Sequence, residues 1–106
     1  MEVVTIIVSD EANRDLDAII DVVEEKFGLR IAKRLDDRLS ATISSLARMP
    51  TRHMRVPYLA DRVADYRRAL TGAHRVIFTL SADESLVRVV RIDLQSSDPS
   101  TLDDLP

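Results

Sequence analysis

The 106-residue chain contains no cysteine. That excludes a disulfide framework and cysteine-ligated zinc, and it fits a reducing compartment. Glycine is nearly as scarce. Only Gly28 and Gly72 occur, so no glycine-rich loop is available to cradle a nucleotide phosphate. His53 and His74 are the only histidines, and two isolated imidazoles do not make a metal site. No apolar run approaches the roughly 20 residues needed to cross a bilayer. The first apolar run follows Glu2 without a basic leader or a small-residue cleavage site, unlike a secretory signal. Together these absences predict a cytoplasmic protein without membrane, metal or cofactor, and its length suits one domain that buries roughly two-thirds of its unfolded surface.

Lysine is also rare, because thirteen of the fifteen bases are arginine. The net charge of −3 conceals a partition. Residues 1–29 carry eight acids against two bases, a net −6. Residues 30–91 carry thirteen bases against six acids, a net +7, and residues 92–106 carry four acids and no base. Arginine presents a planar fork suited to bidentate carboxylate or phosphate contacts, which lysine cannot copy. The partition therefore suggests an arginine-lined surface for an acidic protein segment or nucleic acid. The plainer alternative is a solvated face whose charges are answered by the acidic flanks.

The stretch from Tyr66 to Ile92 sets the architecture. Thr71-Gly72-Ala73 and Ser81-Ala82-Asp83-Glu84-Ser85 are turn sequences, with Gly72 free to take a positive φ. Between them Val76, Phe78 and Leu80 fall on one face, and Arg75, Ile77 and Thr79 on the other. Connections this short predict an antiparallel meander. Val3 to Val8 is nearly all β-branched and predicts a strand with both faces at least partly covered.

Ser9-Asp10 offers a helix start, and Ala12, Leu16, Ile19, Ile20, Val23 and Phe27 form a stripe at helical spacing. Gly28 should end that helix in a left-handed conformation. A second helix follows, with Ile31, Leu35, Leu39, Thr42, Ile43, Leu46 and Met49 inside and Pro50 just beyond it. So short a connection makes the pair an antiparallel hairpin, acidic outside on one helix and mainly basic on the other. Residues 50–64 have no steady period and read as a long loop, tethered by Met54, Val56, Tyr58 and Leu59. Beyond Ile92 the sequence predicts a turn and a frayed or loosely docked acidic tail.

The expected order is β-α-α-β-β-β. It is an α+β fold, with a helical hairpin packed on one face of a small, mainly antiparallel sheet. The domain is taken as residues 1–99, and residues 100–106 as an acidic C-terminal tail. Only loops and the tail remain to cover the opposite face, which bears Arg75 and Ile77 and is the natural place for a partner. The candidate partner-binding residues are Arg67, Arg68, Arg75 and Arg91. Arg67 and Arg68 point to opposite faces, so at most one of them joins Arg75. Arg88 and Arg91 likewise alternate. His74 suits a core edge, and His53 a solvated loop. Asp36-Asp37 and Glu24-Glu25 lie on outer helix faces, without the context of a catalytic carboxylate pair.

In this order, several stretches resemble the RelE/ParE superfamily of toxins from bacterial type II toxin–antitoxin systems. They are Ser9-Asp10-Glu11-Ala12 with Asp15-Leu16 and Ile19-Ile20, Phe27-Gly28 with Ala32, and Ile43 to Pro50. Stronger are Tyr66-Arg67, His74-Arg75-Val76-Ile77-Phe78, and Val87 to Ile92 leading to Asp98-Pro99. The resemblance covers nearly the whole chain and implies a cognate antitoxin as partner. RelE-type members are ribosome-dependent mRNA nucleases, and Arg67 or Arg68 with Arg75 match their sheet-face basic positions. Their C-terminal acid–base residue has no counterpart here, since nothing after His74 is His or Tyr. ParE-type members lack that set, and the family implies binding and inhibition of DNA gyrase, with a role in plasmid stabilisation. The segment before Asp98-Pro99 carries Leu94, Gln95 and Ser96, where many ParE members carry a basic residue. The expectation is thus a ParE-like toxin without catalytic residues of its own. The alternatives are a RelE-like nuclease, or an inactive family member that only binds antitoxin.

Overall fold

The computed structural model describes residues 3–106. Met1 and Glu2, on which the leader argument rests, lie outside the described residues. Strand β1 (Thr5–Val8) leads into helices α1 (Asp10–Phe27) and α2 (Leu29–Ser45), then β2 (Asp65–Thr71), β3 (His74–Leu80) and β4 (Leu86–Leu94). Short 3-10 turns occupy Pro50–Arg52, Pro57–Leu59 and Pro99–Leu102. The sheet order is β1-β4-β3-β2. The β2-β3-β4 meander is antiparallel as its turns require, and β1 joins the edge of β4 in parallel. The fold is α+β, with the helical hairpin on one face.

Local chemistry explains most boundaries. Ser9 Oγ accepts the Ala12 N–H at 3.1 Å, and Asp10 and Glu11 follow in the first turn, at the positive end of the α1 dipole. Gly28 separates the helices at φ 91, ψ 170. That is not the left-handed helical region expected of it but an extended positive-φ region open essentially to glycine alone. Helix α2 ends at Ser45, four residues earlier than its apolar stripe suggested. Thr42 Oγ1 donates to the Arg38 carbonyl and Ser45 Oγ to the Thr42 carbonyl, bonds that compete with the helical ladder. Met49 consequently leaves the inner stripe, takes φ 45 and is exposed.

Two cores sandwich the meander. The larger joins Val76, Phe78, Leu80, Ala69, Val87, Val89 and Ile92 to Ala12, Leu39 and Leu46, with Leu16, Ile19, Leu35 and Ile43 alongside. Strand β1 gives it only Ile6 and Val8, with Val4 just before the strand, while Thr5 and Ile7 face water. The expectation of cover on both faces fails there because β1 is an edge strand whose second face has no layer above it. A bulge interrupts the β3–β4 register. Phe78 pairs with Val89 but Ile77 pairs with Arg91, so Val90 is extra. The parity shift places Arg88 and Arg91 on the same face, opposite Thr79 and Ile77, rather than on alternate faces. The bond from the Ser9 N–H to the Val89 carbonyl, at 2.9 Å, is the last backbone bond to this edge of β4 among the described residues. Asp15 of α1 fills the gap by accepting the Ile92 N–H at 3.0 Å.

The smaller core lies on the other face and gathers Val56, Leu59, Tyr66, Ile77, Leu102 and Leu105. It overturns the picture of a frayed tail, since Leu102 is fully buried and Leu105 nearly so. Arg91 Nη2 lies 3.0 Å from both oxygens of Asp104, and Arg91 Nη1 donates to the Thr101 carbonyl. Arg62 Nε donates to the Leu105 carbonyl at 3.2 Å, and Tyr66 Oη to the Pro106 carbonyl at 2.8 Å. Ile77 is therefore covered rather than presented to solvent. Apolar burial outweighs the exposed charges in this docking, because a buried leucine contributes more than a solvent-screened ion pair.

Residues 50–64 are a long connection, as expected, but of its four expected apolar tethers only Val56 and Leu59 are buried, and Met54 and Tyr58 are exposed. The Val56 N–H donates to the Tyr66 carbonyl and the Arg68 N–H to the Met54 carbonyl, covering part of the outer edge of β2. His53 is half-buried rather than fully solvated. Its ring meets Phe78 edge-on at 5.7 Å, and Nε2 is buried without a hydrogen-bond partner. Burial, followed by the Arg52 and Arg67 cations, lowers its pKa from the ordinary 6.5.

Leu102→Ala should destabilise the chain by about 2–5 kcal/mol in urea unfolding, as expected for truncating a buried leucine, whereas a frayed tail would give no change. The lowered His53 pKa gives a second expectation. The unfolded state binds more protons once the pH falls through 6.5, so this contribution to stability is full above that value and is lost below it. His53→Gln should flatten the fall in urea midpoint between about pH 7.5 and 5.5. His74, whose pKa is lowered by burial, contributes with the same sign and leaves a residual slope.

Candidate partner-binding surface

Register decides which of the four candidate arginines meet. Arg68 lies opposite Ile77 and Arg91 opposite Ile77 from the other side, while Arg75 lies opposite Asp93, all on the face away from the helices. Arg67 lies opposite Phe78, on the helix-facing side. The structure thus groups Arg68, Arg75 and Arg91 on one face and separates Arg67 from them.

Three of the four are already engaged. Arg75 is only 7 % exposed and grips Asp93 with both arms of its fork, Nε–Oδ1 at 2.5 Å and Nη2–Oδ2 at 2.9 Å. Arg67 bonds Asp65 at 3.1 Å and the carbonyls of Thr51 and His53 at 3.2 and 2.8 Å, pinning the loop onto β2. Arg91 holds the C-terminal segment. Withdrawing a buried cation from such a pair leaves an uncompensated charge, so Arg75 is poorly placed to be lent to a partner. Arg68 is half-buried and enters no ion pair or side-chain hydrogen bond among the described residues. On its face Leu70 is 50 % exposed and Arg88 is exposed.

A second surface, missed in the sequence, lies at the far end of the hairpin. Val23 and Phe27 of α1 and Ile31, Arg34, Leu35 and Arg38 of α2 line an open groove of about 250 Å³. Neither core draws on residues 20–34, so this half of the hairpin has no sheet beneath it. Phe27 is 67 % and Leu29 68 % exposed. The apolar stripe of α1 runs on past Ile19, the last α1 position in the core. Comparing the stripe with the length of the strands would have revealed the overhang.

The groups able to carry protons do not converge with these guanidiniums. Tyr58 donates to Asp103 at 2.5 Å, and that bond raises its pKa from 10.0. Tyr66 is raised by burial and bonds Pro106. Both phenols stay protonated at neutral pH. His53 caps the end of the 3-10 turn at Pro50–Arg52, and His74 stands at the start of β3. Burial disfavours the cation of each. Asp15 is raised by burial, against the opposing pull of the Ile92 N–H and Arg91, and its oxygen is spent on the backbone. Asp83 is held at about 2 by bonds from Ser85 and Ser81, which shape the β3–β4 turn. Among the described residues no three His, Cys, Asp or Glu side chains group as metal ligands, and no helix is long and apolar enough to cross a membrane.

Comparisons with known proteins agree with this architecture. Among solved structures, a chain of the chromosomal ParDE toxin–antitoxin system of P. aeruginosa superposes with a TM-score of 0.70 at 17 % identity, covering 87 % of this chain and 96 % of that one. A chain of the RelBE2 toxin–antitoxin complex of Mycobacterium tuberculosis superposes with a TM-score of 0.58 at 22 % identity, covering 92 % and 97 %. At such identities the likeness speaks for the fold. Comparison with curated protein sequences gives no significant match. The model of the ParE toxin of the type II toxin–antitoxin system parDE matches residues 6–99, and on that match this chain belongs to the ParE toxin family, within the RelE/ParE superfamily.

Proposed function

We propose that this chain is the toxin of a type II toxin–antitoxin module, that it acts by gripping another protein, and that its target is DNA gyrase. The family match over residues 6–99 carries the proposal. The placement of the side chains supports binding rather than catalysis. Phosphodiester cleavage needs a proton acceptor and donor beside the cations that hold the phosphate, and here the imidazoles and phenols are dispersed into packing and docking roles. Arg68, Arg88 and Leu70 remain available on the sheet. Basic side chains bordering apolar surface suit an acidic, amphipathic segment. A cognate antitoxin would supply one that orders as it wraps the hairpin and reaches the sheet.

The RelE-like alternative draws on the similarity to the RelBE2 chain and would use Arg67, Arg68 and Arg75 on mRNA. Purified protein should block gyrase supercoiling or trap gyrase–DNA adducts, and should leave ribosome-bound mRNA intact. Cleavage at the ribosomal A site would transfer the assignment to the nuclease, and normal growth on expression without antitoxin would indicate an inactive binder. Arg68→Glu should weaken antitoxin binding about tenfold or more while leaving the urea midpoint unchanged. Arg75→Ala should instead lower stability by about 3–5 kcal/mol by stranding Asp93.

A further inference from the structure

We propose that the tip of the α1–α2 hairpin is a self-complementary interface through which two copies of this chain pair about a two-fold axis. Charge placement at the tip is the first sign. Glu24 and Glu25 stand in the last turn of α1, against the negative end of its dipole, with Asp21 a turn earlier. Arg30, Lys33 and Arg34 stand in the first turns of α2, against the positive end of its dipole, and no acid is present in that first turn. Lys26 is the one charge in these turns that follows the dipole, and Asp36 and Asp37 come a turn beyond the basic group. A local rule broken on both helices at one place marks a site selected for something other than helix stability.

The charges are also uncommitted. Every ion pair among the described residues falls between Arg55 and Asp104, so none of the hairpin's acids and bases is in one. Beside them Val22, Phe27, Leu29 and Ile31 are between 42 and 68 % exposed, an apolar patch on an overhang that no layer of the fold covers.

The separation of sign identifies the occupant. A partner of one charge would be drawn to one helix and repelled by its neighbour. A second hairpin, turned by a two-fold rotation, sets its α2 against this α1 and its α1 against this α2. Each acidic row then meets a basic row twice over, and the apolar residues meet at the axis, as an isologous contact requires. The inference does not rest on the toxin reading and is tested on the chain alone.

Sedimentation equilibrium of the full chain should show a monomer–dimer equilibrium. It should weaken about tenfold or more as salt shortens the Debye length from about 10 Å at 0.1 M to about 3 Å at 1 M. Glu24→Arg with Glu25→Arg should sediment as monomer, as should Arg30→Glu with Arg34→Glu. Mixed in equal amounts, the two variants should dimerise again, because both reversed contacts are then complementary. Both variants place charge in line with the helix dipoles, so circular dichroism should report undiminished helix and stability. Phe27→Asp with Leu29→Asp should abolish pairing at every salt concentration. A wild-type chain that stays monomeric throughout would overturn the proposal, as would mixed variants that associate no better than either alone. A monomer that instead binds an acidic peptide through Arg30 and Arg34 would overturn it in favour of an unlike partner.

Discussion

Arg75, Val76, Ile77 and Phe78 are consecutive and all buried, so the middle of β3 is removed from water on both faces. A strand in that situation needs a layer on each side, and much of the remaining chain answers that need. The hairpin closes over Val76 and Phe78, while the 50–64 connection and the C-terminal segment close over Ile77. Arg75 is the awkward member. A guanidinium in so dry a place requires an anion fixed by the same sheet, and Asp93 faces it directly across β4.

The charge partition acquires structural meaning in this frame. The acids of residues 92–106 answer part of the basic middle of the chain, through Asp93 on Arg75 and Asp104 on Arg91. Among the described residues no acid of α1 enters an ion pair, although Asp15 accepts the Ile92 N–H. Electrostatic satisfaction is concentrated in the sheet half of the molecule, and the exposed apolar side chains of the hairpin occupy the half without it.

Much of this was legible in the residues. The alternation from His74 to Leu80, the stripes of both helices, and Ser9 and Gly28 at their ends specified the elements and their order. What escaped was non-local. The bulge at Val90 leaves no mark in an otherwise regular β-branched run, yet it reverses the parity of everything after it. The pairing of Arg75 with Asp93 depends on register, which periodicity does not fix. Leu102 and Leu105 were hidden among Asp103, Asp104 and two prolines, where composition suggested disorder, although their spacing of three suits a 3-10 turn against an apolar face. His53 was misjudged because burial depends on where a loop lands. The candidate site was legible as a set of arginines, but not in which of them the fold itself consumes.

The parallel pairing of β1 has a consequence for the order in which the chain can assemble. Ile6 waits for Val87, about eighty residues further along, before it gains a neighbour. On a ribosome the first strand and both helices emerge complete while their complementary surface has yet to be made. Their greasy sides stay open until β4 arrives, so the nascent protein passes through an interval in which that apolar surface is exposed to holdases and to aggregation.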